Sequence, residues 1–310
     1  MMMSFLTNTD RIMKKKLLVS FSGGETSAFM AQWLIKHKSD EYEMVFVFAN
    51  TGEENEETLD FVNYCDKRFN LNCVWVEALV VHGEREGTKH KIVNFETASR
   101  KGEPFEEIIK KYGIPNQVFP HCNRELKLAP IHSYIKNSLG WKEYHTAIGI
   151  RYDEIDRMVK DRVKKKIVYP LIQDIRMTKQ KINFWWSQQE RRLNLKGYQG
   201  NCKTCWKKSF RNLYTIAKET PEYFNFFKRM EDKYSLVTPN GRDEVIDEDG
   251  TKKPMYFFRT GKSVSDVFNE SIEFTGKVRD SHINLDYQLN LLDMIDEVES
   301  CDIFSNCGDS

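Results

Sequence analysis

No stretch of this chain approaches the roughly 18 unbroken apolar residues of a bilayer-spanning helix, so no membrane span is expected. Charge of one sign is also lacking. Forty-seven Lys and Arg against 46 Asp and Glu leave +1, which gives neither the basic field of a nucleic-acid binder nor the acidic excess of a disordered chain. Cysteine is sparse. Seven in 310 residues are too few for a disulfide scaffold, and the odd number leaves at least one unpaired. A secretory leader is not expected either, because the apolar run after Lys14–Lys16 meets Ser22 and Gly23 too soon. What is present is ample core material, 40% hydrophobic, for one large domain or two ordinary ones. The expectation is a cytoplasmic protein whose clustered cysteines are suspects for metal or redox chemistry.

Residues 16–22 (KLLVSFS), 44–50 (MVFVFAN) and 73–80 (CVWVEALV) read as strands buried on both faces of a parallel sheet. Between them, Phe29 with Trp33 and Met30 with Leu34 recur at helical spacing, and a second helix is expected over about 57–69. Segments 145–151 and 166–172 read as further strands. This alternation predicts an α/β fold with a doubly wound, mostly parallel, Rossmann-like sheet. The expected organisation is an N-terminal extension (1–15), a nucleotide-binding domain (16–175) with a helical insertion at about 82–143, and a mixed, cysteine-containing C-terminal region (176–310). In that last region helices are expected over 179–189, 210–235 and about 284–299, with an exposed loop over 238–254.

The strongest chemical signal is Ser22-Gly23-Gly24-Glu25-Thr26-Ser27 at the first strand-to-helix junction. Two glycines let backbone amides approach an anion, the following helix offers free N–H groups, and Ser22, Thr26 and Ser27 add hydroxyls. It is no Walker-type loop, since Lys-Ser/Thr is missing after the second glycine. An ordinary tight turn is the bland alternative; the three hydroxyls favour a phosphate cradle.

Ser-Gly-Gly-x-x-Ser after a first strand resembles the pyrophosphate (PP) loop of the adenine-nucleotide α-hydrolase superfamily, with its HUP-type fold. FANTGEENEETLDFV (48–62), HCNRELKLAPI (121–131), AIGIRYDEIDRM (147–158), YPL (169–171) and GNCKTCWKKS (200–209) narrow the likeness to phosphoadenosine phosphosulfate (PAPS) reductase-like proteins of bacteriophages. It runs from about Leu17 to Val264. A phage-encoded protein of this kind would work in the host cytoplasm. The resemblance implies an adenine nucleotide, ATP with Mg2+ or PAPS, at Ser22, Gly23, Gly24, Thr26 and Ser27. Asn50 and Thr51 are candidates for polar contacts to it, together with Gly149. Arg151 and Arg157 suit a bidentate grip on phosphate or sulfate oxygens, with Asp153 and Glu154 orienting them or holding magnesium. Glu53, Glu54, Glu56 and Glu57 read as an ordinary acidic helix start, and Glu25 as a residue pointing to solvent.

Cys202-x-x-Cys205 lets two thiolates reach one metal, and neighbouring Lys203, Lys207 and Lys208 would favour thiolates, as Arg124 and Lys127 would at Cys122. Three cysteines are one short of a closed zinc site. Within the resemblance, Cys122, Cys202 and Cys205 imply a [4Fe–4S] cluster ahead of zinc, with His121, Cys301 or Cys307 as a fourth ligand. The same cysteines with Arg151 are the candidate catalytic residues. Cys65 and Cys73 read as core, Trp185, Trp186 and Trp206 as packing, Lys164–Lys166 as a solvated turn, and 255–263 as a second anion contact. The partners left open are a thiol reductant or sulfur donor, an RNA acceptor and a second copy of the chain. Two functions compete: a PAPS-reductase-like enzyme doing sulfur or adenylyl-transfer chemistry, and a nucleotide-binding accessory or sensor with structural cysteines.

Overall fold

The computed structural model describes residues 13–83, 86–238, 244, 246, 249–276, 278 and 280. Among these, six strands form one sheet: β1 (Lys15–Ser20), β2 (Tyr42–Asn50), β3 (Val74–Leu79), β4 (Lys89–Val93), β5 (His145–Ala147) and β6 (Ile167–Val168). Their order is β4-β3-β2-β1-β5-β6, parallel throughout except for the antiparallel β3–β4 pair. Central β1 has β2 on one side and β5 on the other. The strand order therefore reverses there, and ligands of open α/β sheets bind at such a point.

Helices cover both faces, as the Rossmann-like, HUP-type reading requires: α1 (Glu25–Lys38), α2 (Glu56–Phe69), α3 (Glu103–Tyr112), α4 (His121–Asn123), α5 (Ala129–Asn137), α6 (Pro170–Gln173), α7 (Lys179–Ser187), α8 (Phe210–Glu219), α9 (Asn225–Tyr234) and α10 (Val264–Glu273). Alternation along β1 explains its unbroken apolar sequence. Leu17 and Val19 pack with α1, α2 and α7 on one face, while Leu18 packs with Ile131 and Ile135 of α5 on the other. Trp186 is fully buried in the first of these cores, and Trp185 meets Phe29 edge-on with ring centroids 5.1 Å apart. Cys65 and Cys73 also pack in or against that core.

Three expectations change. The strands expected over 145–151 and 166–172 shrink to β5 and β6, and the second segment turns into α6 at Pro170, a residue suited to a first helical turn. The insertion contains an edge strand, β4, whose lysines and half-exposed Ile92 gave it no clear apolar period. The helical stretch expected over 210–235 is broken between α8 and α9 at Pro221, which cannot continue the amide ladder. The insertion and the C-terminal region share one core. Phe105, Ile108 and Ile109 of α3 pack with Leu213, Phe227, Met230, Phe257 and Val264. The helix expected over 284–299, Cys301, Cys307 and part of the 238–254 loop lie outside the described residues. No helix among the described residues is long and apolar enough to cross a membrane.

Candidate functional site

The loop after β1 opens into a cleft lined by Ser22, Gly24, Thr26, Ser27, Gly149, Arg151 and Arg157, and also by the acidic Glu25 and Glu154. Gly23 is not among these residues. It has φ +84°, and a Cβ there would stand 2.7 Å from Thr58 Cγ2 and 3.1 Å from Val62 Cγ2, so glycine is required by the packing of α2 beneath the loop. Gly24 is the extended N-cap of α1, where no side chain caps the free amides. Ser22 Oγ donates to Ser27 Oγ (3.0 Å), and Ser27 Oγ donates to the Gly24 carbonyl (2.9 Å). Gly149 lets the chain beyond β5 press on this turn, since a Cβ there would lie 3.2 Å from Ser27 Cα.

Arg151 is 3% exposed and donates from Nη1 to Thr26 Oγ1 at 3.3 Å. Its Nε faces Asp153 at 3.4 Å and its Nη2 faces Glu154 at 3.5 Å, while Glu154 also pairs with Arg157. Both carboxylates thus brace arginines. Burial works to raise the Glu154 carboxyl, but Arg151 and Arg157 outweigh it and hold the group below its ordinary value. Lys165 and Lys166 pair instead with Asp161 and Glu143 on an exposed turn.

Glu25 does not point to solvent. It is 5% exposed and accepts from Arg192 Nε and Nη2, both at 2.9 Å, and from the Leu193 amide at 3.2 Å. The Trp186 indole donates to its carbonyl at 3.0 Å. The anion at the loop is therefore matched by a cation from the C-terminal region, whose Leu193, Leu195 and Asn201 also line the cleft. Asn201 Nδ2 donates to the Ser22 carbonyl at 2.7 Å. Sequence reading missed Arg192 and Asn201; the only signal was the position of Asn201 beside Cys202.

Asn50 lies outside the cleft. Fully buried, it donates to Glu77 (2.7 Å) and the Ser99 carbonyl (2.9 Å), so its amide ties β2 to β3 and the chain beyond β4. Thr51 bonds the Glu54 carboxylate through both amide and hydroxyl. Glu53 and Glu54 are not a solvated helix start either, since both are buried. Burial raises the Glu53 carboxyl to about 8, with Lys203 3.8 Å away pulling the other way.

Cys122, Cys202 and Cys205 line one pocket, walled by Thr51, Phe105, Leu126, Trp206, Phe227 and Phe257. Cys122 enters from α4, and the π-helical turn Arg124–Leu128 that follows brings Leu126 and Lys127 to the same wall. The Cys202 side is fixed by an antiparallel bridge to Glu54 and by the Lys203 amide on the Glu53 carbonyl. At Cys202 the expected thiolate bias is not what the environment produces. Burial and neighbouring Cys205 push the Cys202 thiol well up, against Lys208 and Lys127, while Arg124 pairs with Glu125. Lys208 donates to the Cys202 carbonyl at 2.6 Å.

Arg259 binds the Lys207 and Lys208 carbonyls and Lys262 pairs with Glu270, so the expected anion contact at 255–263 instead braces the cysteine loop. His121 is outside the cavity lining, its Nε2 3.1 Å from the Gly113 carbonyl. Trp206 Nε1 and Thr204 Oγ1 are buried polar atoms without a protein partner. Among the described residues, no three His, Cys, Asp or Glu side chains converge on a single-ion site.

A parallel α/β sheet with a serine–glycine loop at its switch point, two braced arginines and a cysteine cavity next door defines a Rossmann-like protein of HUP type. The model of the phosphoadenosine phosphosulfate reductase domain matches residues 16–168. The uncharacterized nin region protein ORF290 of Escherichia phage lambda is 34% identical over 206 residues, covering 65% of this chain and 69% of that protein. The chain belongs to the phosphoadenosine phosphosulfate reductase family, and to its phage type. Two uncharacterized proteins of Methanocaldococcus jannaschii, MJ0066 and MJ0973, are 28% and 30% identical over 52% and 44% of the chain. The chain spans 28% and 26% of their lengths.

Proposed function

We propose that this chain is an enzyme that holds an adenine nucleotide by its phosphates in the loop cleft and brings sulfur chemistry to it from the adjoining cysteine cavity. The observation that carries this reading is one peptide link: Asn201 lines the cleft, and Cys202, the next residue, lines the cavity. The uncapped amides of α1 and the Ser22, Thr26 and Ser27 hydroxyls supply donors for a polyphosphate, and Arg151 and Arg157, oriented by Asp153 and Glu154, stand beside them; Mg2+ would offset the remaining negative charge.

The complete Ser-Gly-Gly-x-x-Ser loop favours ATP. Its β,γ-phosphates would lie on the amides with Mg2+ offsetting their charge, while an acceptor oxygen attacks the α-phosphorus and pyrophosphate leaves. The Cys202-x-x-Cys205 pair favours a second reading with PAPS. One thiolate attacks the sulfonate sulfur, the S–O bond to the phosphate breaks, and adenosine 3′,5′-bisphosphate departs. The second thiol then attacks the first cysteine's sulfur, releasing sulfite and leaving a disulfide that an external thiol reduces.

A [4Fe–4S] cluster fits the cavity better than zinc. Each of the three cysteines would bind its own iron, so the thiols need not meet at one point. Such a cluster would supply an open iron for binding sulfur. Incubation with Mg-ATP and with PAPS, followed by chromatography of the products, tests the function. AMP with pyrophosphate supports the first reading, and adenosine bisphosphate with sulfite the second. Nucleotide that binds and stays intact would overturn both in favour of a non-catalytic binder.

A further inference from the structure

Residues 192–201 strap the loop cleft and are held at two edges of the PP loop. Near one end, Arg192 and the Leu193 amide hold the Glu25 carboxylate. At the other, Asn201 Nδ2 holds the Ser22 carbonyl. The backbone of the second end is clamped as well. The Asn55 amide donates to the Asn201 carbonyl at 3.1 Å, and Asn55 Nδ2 donates to the Gly200 carbonyl at 2.7 Å. Immediately beyond, Cys202 bridges to Glu54. No residue separates the group facing the loop from the first cysteine of the pair.

The Asn201 amide also stands beside the N-terminus of α1. A Cβ built on Gly24, the N-cap of α1, would lie 3.7 Å from Asn201 Nδ2 and 3.8 Å from Oδ1. An oxyanion drawn to the α1 amides beside Gly24 therefore comes within reach of the same N–H group that holds the Ser22 carbonyl. A charged phosphate oxygen is the stronger acceptor and draws the amide toward itself, whether it takes the hydrogen now given to the Ser22 carbonyl or the second one of the NH2 group. Because the Asn201 peptide is clamped to Asn55, the rearrangement is passed along the chain to Cys202 instead of dissipating in a free loop.

We propose that Asn201 is a positioning residue that couples occupancy of the loop cleft to the reactivity of Cys202 and Cys205. This rests on the reading of the cleft as a nucleotide site, and the test separates the two. Reduced, chelator-treated protein is alkylated with iodoacetamide with and without ATP, and the rate at each cysteine is read by peptide mass spectrometry. ATP affinity is measured in parallel by calorimetry.

The wild-type protein should bind ATP and change its alkylation rate at Cys202 or Cys205 by roughly two- to tenfold, the ratio that one hydrogen bond supports. Core Cys65 should be unaffected. Asn201→Ala should bind ATP more weakly, by up to about tenfold for the lost hydrogen bond, and at saturating ATP the change at the pair should be abolished. Asn201→Leu, similar in size, neutral and unable to donate, gives the same readout if the alanine variant does not fold. ATP binding with unchanged rates, or a full rate change in either variant, overturns the coupling. Failure of wild-type protein to bind ATP or PAPS overturns the nucleotide reading itself, and the coupling with it.

Discussion

Glu25 and Arg192 stand 167 residues apart in the chain and meet in a two-point ion pair at the entrance to the loop cleft. The carboxylate is almost fully buried and the guanidinium partly so. That asymmetry sets the cost of breaking the pair. Arg192→Ala leaves a buried anion with only the Leu193 amide and should lose about 2–4 kcal/mol in urea denaturation. Removing both side chains should cost less than the sum of the single losses. Strict additivity would mean the pair does not hold the strap.

The two loop glycines should behave differently. Gly24→Val places its side chain in the cleft beside the Asn201 amide, so the protein should fold and lose nucleotide binding. Gly23→Val should fail to fold, because its Cβ collides with Thr58 at a positive φ. Calorimetric titration with circular dichroism separates the cases. A folded Gly24→Val protein of wild-type affinity would contradict the phosphate cradle.

Arg151→Ala should weaken nucleotide binding far more than Lys165→Ala. A lost charge-assisted contact costs about 1.5–3 kcal/mol, or roughly ten- to a hundredfold in Kd. Lys165 already pairs with Asp161 away from the cleft. Similar Kd values for the two variants would move the anion site elsewhere.

Protein purified without oxygen should be brown and contain iron and acid-labile sulfide. Cys122→Ser, Cys202→Ser or Cys205→Ser should each lose most of that iron, and Cys65→Ser should retain it. Colourless wild-type protein, even after anaerobic reconstitution, would leave only the thiol pair and remove the open-iron chemistry.

Glu53 gives a pH signature. Burial raises its carboxyl from 4.5 to about 8, so folding takes up a proton between those values. Its contribution to stability therefore falls as pH rises through that window and levels off above it. Glu53→Gln has no such proton to hold. Its melting temperature relative to wild type should rise between about pH 5 and pH 8, measured by scanning calorimetry. A difference that stays constant with pH would show that Glu53 ionises normally in the folded chain.

The sheet was legible where strands are buried on both faces, because residues such as Leu17, Leu18 and Val19 leave an unbroken apolar run. Edge strand β4 was not, since its lysines break the alternation. At the site, residues within one turn of each other could be read, as with Ser22, Thr26 and Ser27. Contacts across the chain could not. Nothing periodic links Glu25 to Arg192 or Ser22 to Asn201, and nothing in the sequence distinguishes an Asn50 that ties strands together from one that meets a ligand. Basic residues near cysteines misled for the same reason: sequence proximity hides the burial that opposes thiolate formation at Cys202.

The core shared by α3 and the helices beyond residue 210 has a consequence for modularity. The matched family region, 16–168, ends before α8, α9 and α10, yet its own Phe105, Ile108 and Ile109 are covered by them. Cut out at its family boundary, that region would carry a bare aromatic and aliphatic face and would self-associate. The part that can be recombined, tagged or transplanted is thus larger than the part recognisable by descent. A graft onto another scaffold would have to carry the covering helices with it.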